Sequence, residues 1–183
     1  MAKNVFISTN LKSTKYAERI FDVVAAVDVE NGTFGYLNGL ATNQTHIYNF
    51  VPGTKAGLVA GEVVVADNPA WKEDTSRITN QRRDNYVIPA GTPFRVRVVA
   101  KNDEFGTAIE GVTSASQSAM DVGAYVTIDS STGKLVASAT AASTPIMEGK
   151  VMRKYVMGAT LATAAHNYGL AKTIYVVKID TLA

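Results

Sequence analysis

The chain contains no cysteine. Disulfide frameworks, thiolate catalysis and cysteine-based zinc or iron–sulfur sites are thereby excluded, and the fold rests on its apolar core. Histidine is scarce as well: His46 and His166 are the only two, and they lie far apart in sequence. Neither stands in a metal-ligand spacing such as H-x3-H or H-E-x-x-H. No stretch approaches the roughly 20 consecutive apolar residues of a membrane-spanning helix. The opening residues MAKNVFISTNLKSTKYAERIF lack the uninterrupted apolar segment of a secretion signal. An excess of one charge is missing too, since 18 Lys and Arg stand against 16 Asp and Glu for a net charge of +2. A dedicated nucleic-acid binder would cluster far more positive charge. The expectation is a protein made in a reducing cytoplasm, with no membrane anchor and no nucleic-acid partner.

The signatures of chemistry are also missing. There is no G-x-S-x-G elbow, no Walker loop and no G-x-G-x-x-G. Carboxylates occur as Asp28 and Glu30, Glu73 and Asp74, and Asp103 and Glu104. Neighbours on a strand point to opposite faces, so Asp103 and Glu104 are poorly placed to share a proton or a sugar. Asp28 and Glu30 share a face beside a turn, where solvation of the turn accounts for them. No catalytic, cofactor-binding or metal-binding residue is nominated, and the expectation is that the chain is not an enzyme.

What is present is a strong β pattern. Hydrophobic residues make up 46% of the 183 and charged residues only 19%, enough for a full core beneath a charge-poor surface. Residues 21–29 lead through Asn31-Gly32 into 33–37, which reads as a hairpin closed by a type I′ turn. Residues 61–66 (GEVVVA) read as a strand. In 93–100 (PFRVRVVA), Phe94, Val96 and Val98 alternate with Arg95 and Arg97, as in a half-exposed strand. Residues 124–128 and 134–137 flank DSSTG as a second hairpin. Residues 173–179 are apolar on both faces, Tyr175, Val177 and Ile179 on one and Ile174 and Val176 on the other, as a central or interfacial strand would be.

The runs 113–119 (TSASQSA) and 137–144 (ASATAAST) read as exposed loops. Residues 159–168 have helical spacing before Gly169, and Asp74 caps a second candidate turn. The fold class expected is mainly β: a single β-sandwich or compact β-barrel with at most one or two short helices. Residues 1–20 form an extended N-terminal arm and 21–183 the β domain.

Two segments invite an interface reading. Trp71 is followed by Arg77, Arg82 and Arg83, and Trp and Arg are enriched at binding hot spots. A solvated loop with Trp71 tucked into the core explains the same residues. In the arm, Lys3, Val5, Phe6 and Ile7 have the composition of a strand that adds to a neighbour's sheet edge, or of a frayed terminus.

The succession of elements resembles that of small capsid decoration, or cement, proteins encoded beside the head genes of tailed phages of Gram-positive hosts. The segments that carry the likeness are residues 27–37, IYNFVPGT (47–54), VVVADNPAW (63–71), AGTPFRVRVV (90–99) and NDEF (102–105). VGAYVTIDSSTGKL (122–135) and EGKVM…TIYVVKI complete the series. It implies a structural virion protein on the outer capsid surface, with the major capsid protein as partner and a homo-oligomer, by preference a trimer. Another virion part, such as a head-fibre base, a tail component or a carbohydrate-binding module, is the alternative.

Overall fold

A computed structural model of the chain describes residues 3–15, 19–59, 61–68, 86–157 and 171–182. The fold is mainly β. Strands β2 (Ile20–Ala25), β3 (Phe34–Leu40), β4 (Ile47–Pro52), β5 (Val63–Ala66) and β6 (Phe94–Val98) close a small barrel in the order β2-β4-β3-β5-β6. Within it β2 and β4 run parallel, Asp22 opposite Ile47 through Ala25 opposite Phe50, and an antiparallel β2–β6 pair completes the ring. Strands β1 (Phe6–Asn10), β7 (Glu104–Ala108), β8 (Tyr125–Ile128), β9 (Leu135–Ser138), β10 (Met147–Met157) and β11 (Lys172–Leu182) form an antiparallel sheet ordered β1-β7-β11-β10-β8-β9.

The period-two alternation of β5 explains how the two sheets join. Val64 and Ala66 point into the barrel with Val23, Phe50, Phe94, Val96 and Val98, where Phe50 and Phe94 meet edge to face at 5.5 Å. Val63 and Val65, with Phe34 of β3, point outward onto Phe6, Phe105, Val126, Val151, Val177 and Ile179 of the sheet. Phe34 lies 5.4 Å from Phe105 between ring centroids, and Phe6 lies 5.7 Å from Phe105. β3 and β5 are thus a common wall, one face lining the barrel and the other the inter-sheet core. Each such buried side chain contributes about 1.5–3 kcal/mol relative to exposure.

The β8–β9 hairpin is clamped to that wall. Asp129 accepts hydrogen bonds from the backbone N–H and hydroxyl of both Ser131 and Thr132. Those donors, Thr132 foremost, hold its carboxyl down to about 2. The shaped loop then offers the Ser130 carbonyl to Thr54 N–H at 3.1 Å and the Gly133 carbonyl to Phe34 N–H at 2.8 Å. Gly133 has φ +69, and an added Cβ would collide with the Phe34 carbonyl.

Several expectations need correction. Asn31-Gly32 does make a turn, but β2 and β3 do not pair with each other. A type I′ turn needs positive φ at both central residues. Gly32 has it (φ +82) and Asn31 does not. Asn31 instead uses its side chain to bond both the N–H and the carbonyl of Asn68, and Val29 bridges to Ile88. Residues Ser114–Ala119, expected as a loop, form a 3-10 segment braced by Gln117, which donates to the carbonyls of Ile109 and Val112.

The N-terminal segment expected as an extended arm is built into the body. β1 pairs with β7, Phe6 opposite Thr107, and a 3-10 turn at Lys12–Thr14 follows. Asn4 is buried and bonds the N–H of Ala108, the Thr107 hydroxyl and the Asn31 carbonyl. The helical candidates at 159–168 and after Asp74 lie outside the described residues.

Candidate interaction surface

Of the scattered carboxylates, Asp28, Glu30 and Asp103 are structural, while Glu73 and Asp74 lie outside the described residues. Asp28 accepts from the N–H of Ala90, and Glu30 accepts from the N–H of Asn4 and from Lys3 Nζ. Asp103 is fully buried and receives the N–H groups of Lys12 at 3.1 Å and Ala100 at 2.8 Å, closing the β6–β7 turn. His46 is exposed, with Nδ1 3.2 Å from the Thr45 hydroxyl; His166 lies outside the described residues. Among the described residues no three His, Cys, Asp or Glu side chains stand close enough to hold a metal ion, and no helix is long and apolar enough to cross a membrane.

The feature that does converge is the outer face of the six-stranded sheet. With Val177 and Ile179 of β11 in the inter-sheet core, alternation puts Ile174, Val176 and Lys178 on the opposite face. Register then aligns two rows. One runs Tyr125, Lys150, Lys178, Glu104, and the other Arg153, Val176, Gly106, Ile7. Lys150 holds Nζ over the Tyr125 ring, 5.3 Å from its centroid. Arg153 reaches Glu104 at 3.7 Å.

Lys150 and Lys178 are directly opposed and half-buried, and among the described residues neither has a carboxylate within ion-pair distance. Like charges in that relation destabilise a sheet. Between the rows lies a shallow depression of about 60 Å³, lined by Ile7, Glu104, Gly106, Arg153, Tyr155 and Val176. Gly106 is closely packed at its floor, where a Cβ would come within 2.9 Å of Ile174.

A second feature is the outer half of β10. β8 accompanies β10 only over Glu148, Gly149 and Lys150, with a last bond from Gly123 N–H to the Val151 carbonyl. Residues 152–157 keep β11 on one side, and no described strand flanks them on the other. Met152, Tyr155 and Val156 are 48%, 42% and 56% exposed. Lys154 Nζ meets Asp121 Oδ1 at 2.8 Å. That hydrogen bond draws the Asp121 carboxyl below its ordinary value and raises Lys154.

Of the residues singled out in sequence, Val5 and Phe6 are buried inside the chain itself, in the β1–β7 part of the core. Lys3 is half-buried and paired with Glu30 at 3.3 Å. Ile7 lies on the outer face, at the end of the Arg153 row. Trp71, Arg77, Arg82 and Arg83 fall outside the described residues. The lysine row and Tyr155 escaped sequence reading. The cue was there: after Glu148 the segment KVMRKYVM carries three cations and no acid, a composition that suits a sheet face or edge more than a core strand. No protein-family model matches the chain, and neither a curated protein nor a solved structure matches it.

Proposed function

We propose that the chain is a structural virion protein that binds the outside of an assembled phage head, with the major capsid protein as its partner. The sequence likeness to decoration proteins supports this reading. The observation that carries it is the half-buried Lys150–Lys178 pair on the outer face of the six-stranded sheet. A free chain pays a small repulsive penalty for that pair, and a carboxylate-bearing partner relieves it. The depression beside Tyr155 and Val176 supplies the apolar part of the contact. The mechanism is linkage: a ligand that binds only the expanded lattice stabilises it by mass action, by about 2.7 kcal/mol per site at a hundredfold excess over Kd.

The test is co-sedimentation with expanded heads and with unexpanded precursor shells. Saturable binding to expanded heads is expected, and Lys178→Glu is expected to abolish it. The same substitution turns the Lys150–Lys178 pair into an opposite-charge one and the Lys178–Glu104 pair into a like-charge one. Two changes of about 0.2–1 kcal/mol each therefore offset, and folding stability stays near that of the parent. Loss of binding without loss of fold isolates the surface role. Binding of parent chain to neither shell would overturn the proposal in favour of a fibre, tail or sugar-binding part.

A further inference from the structure

We infer that the outer half of β10 pairs edge to edge with the same segment of a second copy of this chain, across a twofold axis at Tyr155. An edge strand with exposed apolar side chains and no flanking strand is a template for another strand. Nature blunts such edges with charge, and here Arg153 and Lys154 are the only charged residues in 152–157. Both are already engaged within the chain, Arg153 with Glu104 and Lys154 with Asp121. What remains is backbone with no strand partner on that side among the described residues, plus Met152, Tyr155 and Val156. An acidic strand from another protein would have to compete for cations that are already neutralised. A second copy does not face that competition.

The segment is also self-complementary in one antiparallel register. Centred on Tyr155, it sets Tyr155 against Tyr155, Lys154 against Val156 and Arg153 against Met157, so no two cations stand directly opposite. Centring on Lys154 instead would oppose two lysines. The central aromatic pair and the two lysine–valine pairs are the kinds of cross-strand neighbour that stabilise a ladder. Isologous twofold contacts are the commonest route to homodimers. The paired stretch is short and buries less than about 1,200 Å² in total, which places the dimer among weak, reversible ones. This association does not rest on the capsid reading.

The test is sedimentation equilibrium of the full chain over a range reaching several hundred micromolar, with three substitutions. A reversible monomer–dimer equilibrium is expected. Val156→Lys places two lysine pairs in direct opposition and is expected to weaken the dimer at least tenfold. Val156→Glu places Glu opposite Lys154 twice and is expected to preserve or tighten it. Because the chain has no cysteine, Tyr155→Cys reports the axis independently. It is expected to give a disulfide-linked dimer on mild oxidation, while Val59→Cys, more exposed (55% against 42%) and in the β4–β5 connection, does not. A monomer throughout, a trimer, equal effects of Lys and Glu at 156, or no preferential link at 155 would each overturn the pairing.

Discussion

Replacing Phe6 with alanine distinguishes a built-in first strand from a detachable arm. Phe6 is 4% exposed and stacks in the inter-sheet core, 5.7 Å from Phe105. Truncating a buried phenylalanine costs about 3–5 kcal/mol, the spread reflecting how far the site can collapse. Collapse is limited here, because Phe34 and Phe105 are themselves fixed by the barrel wall and β7. Against a total stability of about 5–15 kcal/mol, that loss is a large fraction. With a urea slope of about 2 kcal/mol/M, the unfolding midpoint should fall by about 1.5–2.5 M at unchanged slope. Lys3→Ala is the companion variant. It removes a half-exposed ion pair worth less than about 1 kcal/mol, so its midpoint should move by under about 0.5 M. The assay is equilibrium urea unfolding followed by circular dichroism. If Phe6→Ala unfolds where Lys3→Ala does, β1 is not part of the cooperative core and the account of the sheet fails.

Two further outcomes test the hairpin clamp. Gly133→Ala combines a left-handed backbone with a backbone collision and should destabilise by more than about 2 kcal/mol. Gly57→Ala, also left-handed (φ +76) but facing open space, should lose only about 1 kcal/mol. Equal melting temperatures for the two would refute the clamp. Asp129 concerns acid. Its folded carboxyl titrates at about 2, below the ordinary range near 4, so its stabilisation is complete above that range and disappears as pH falls through 2. Asp129→Asn should therefore be less stable than the parent at neutral pH and converge with it in strong acid. An Asp129 resonance titrating near 4 by NMR would show that the four donors do not hold it.

The parts of the fold that could be read in the sequence are those decided within a few residues. PFRVRVV announces β6 by strict alternation, and the β8–β9 hairpin is declared by DSSTG between two apolar runs. β11 shows two apolar faces because both are covered: Val177 and Ile179 lie in the inter-sheet core, and Ile174 and Val176 are buried on the other side. What stayed hidden depended on partners distant in sequence. Asn31-Gly32 has hairpin chemistry, yet β2 takes β4 and β6 as neighbours, a choice made by barrel closure and not by the turn. Phe6 and Ile7 look like a loose apolar tail until β7 is there to pair with them. The opposition of Lys150 to Lys178 exists only in the register of β10 against β11, which contains two bulges. Alternation alone does not predict where those fall.

The common wall of β3 and β5 sets an order of assembly. Every barrel strand lies between residues 20 and 98, so the barrel can close as soon as that stretch leaves the ribosome. The sheet has to wait. Its first strand needs β7, with Phe6 opposite Thr107, and β7 in turn needs β11, with Gly106 opposite Val176. Until β11 is made, Phe34, Val63 and Val65 stand on the outside of a finished barrel with only part of their cover. Long-range pairing of this kind is slow, and uncovered apolar surface in the interval invites aggregation. A ribosome that stalls or terminates shortly before residue 172 would therefore release a nearly full-length chain with an unfinished sheet and a sticky barrel wall, not a smaller soluble protein.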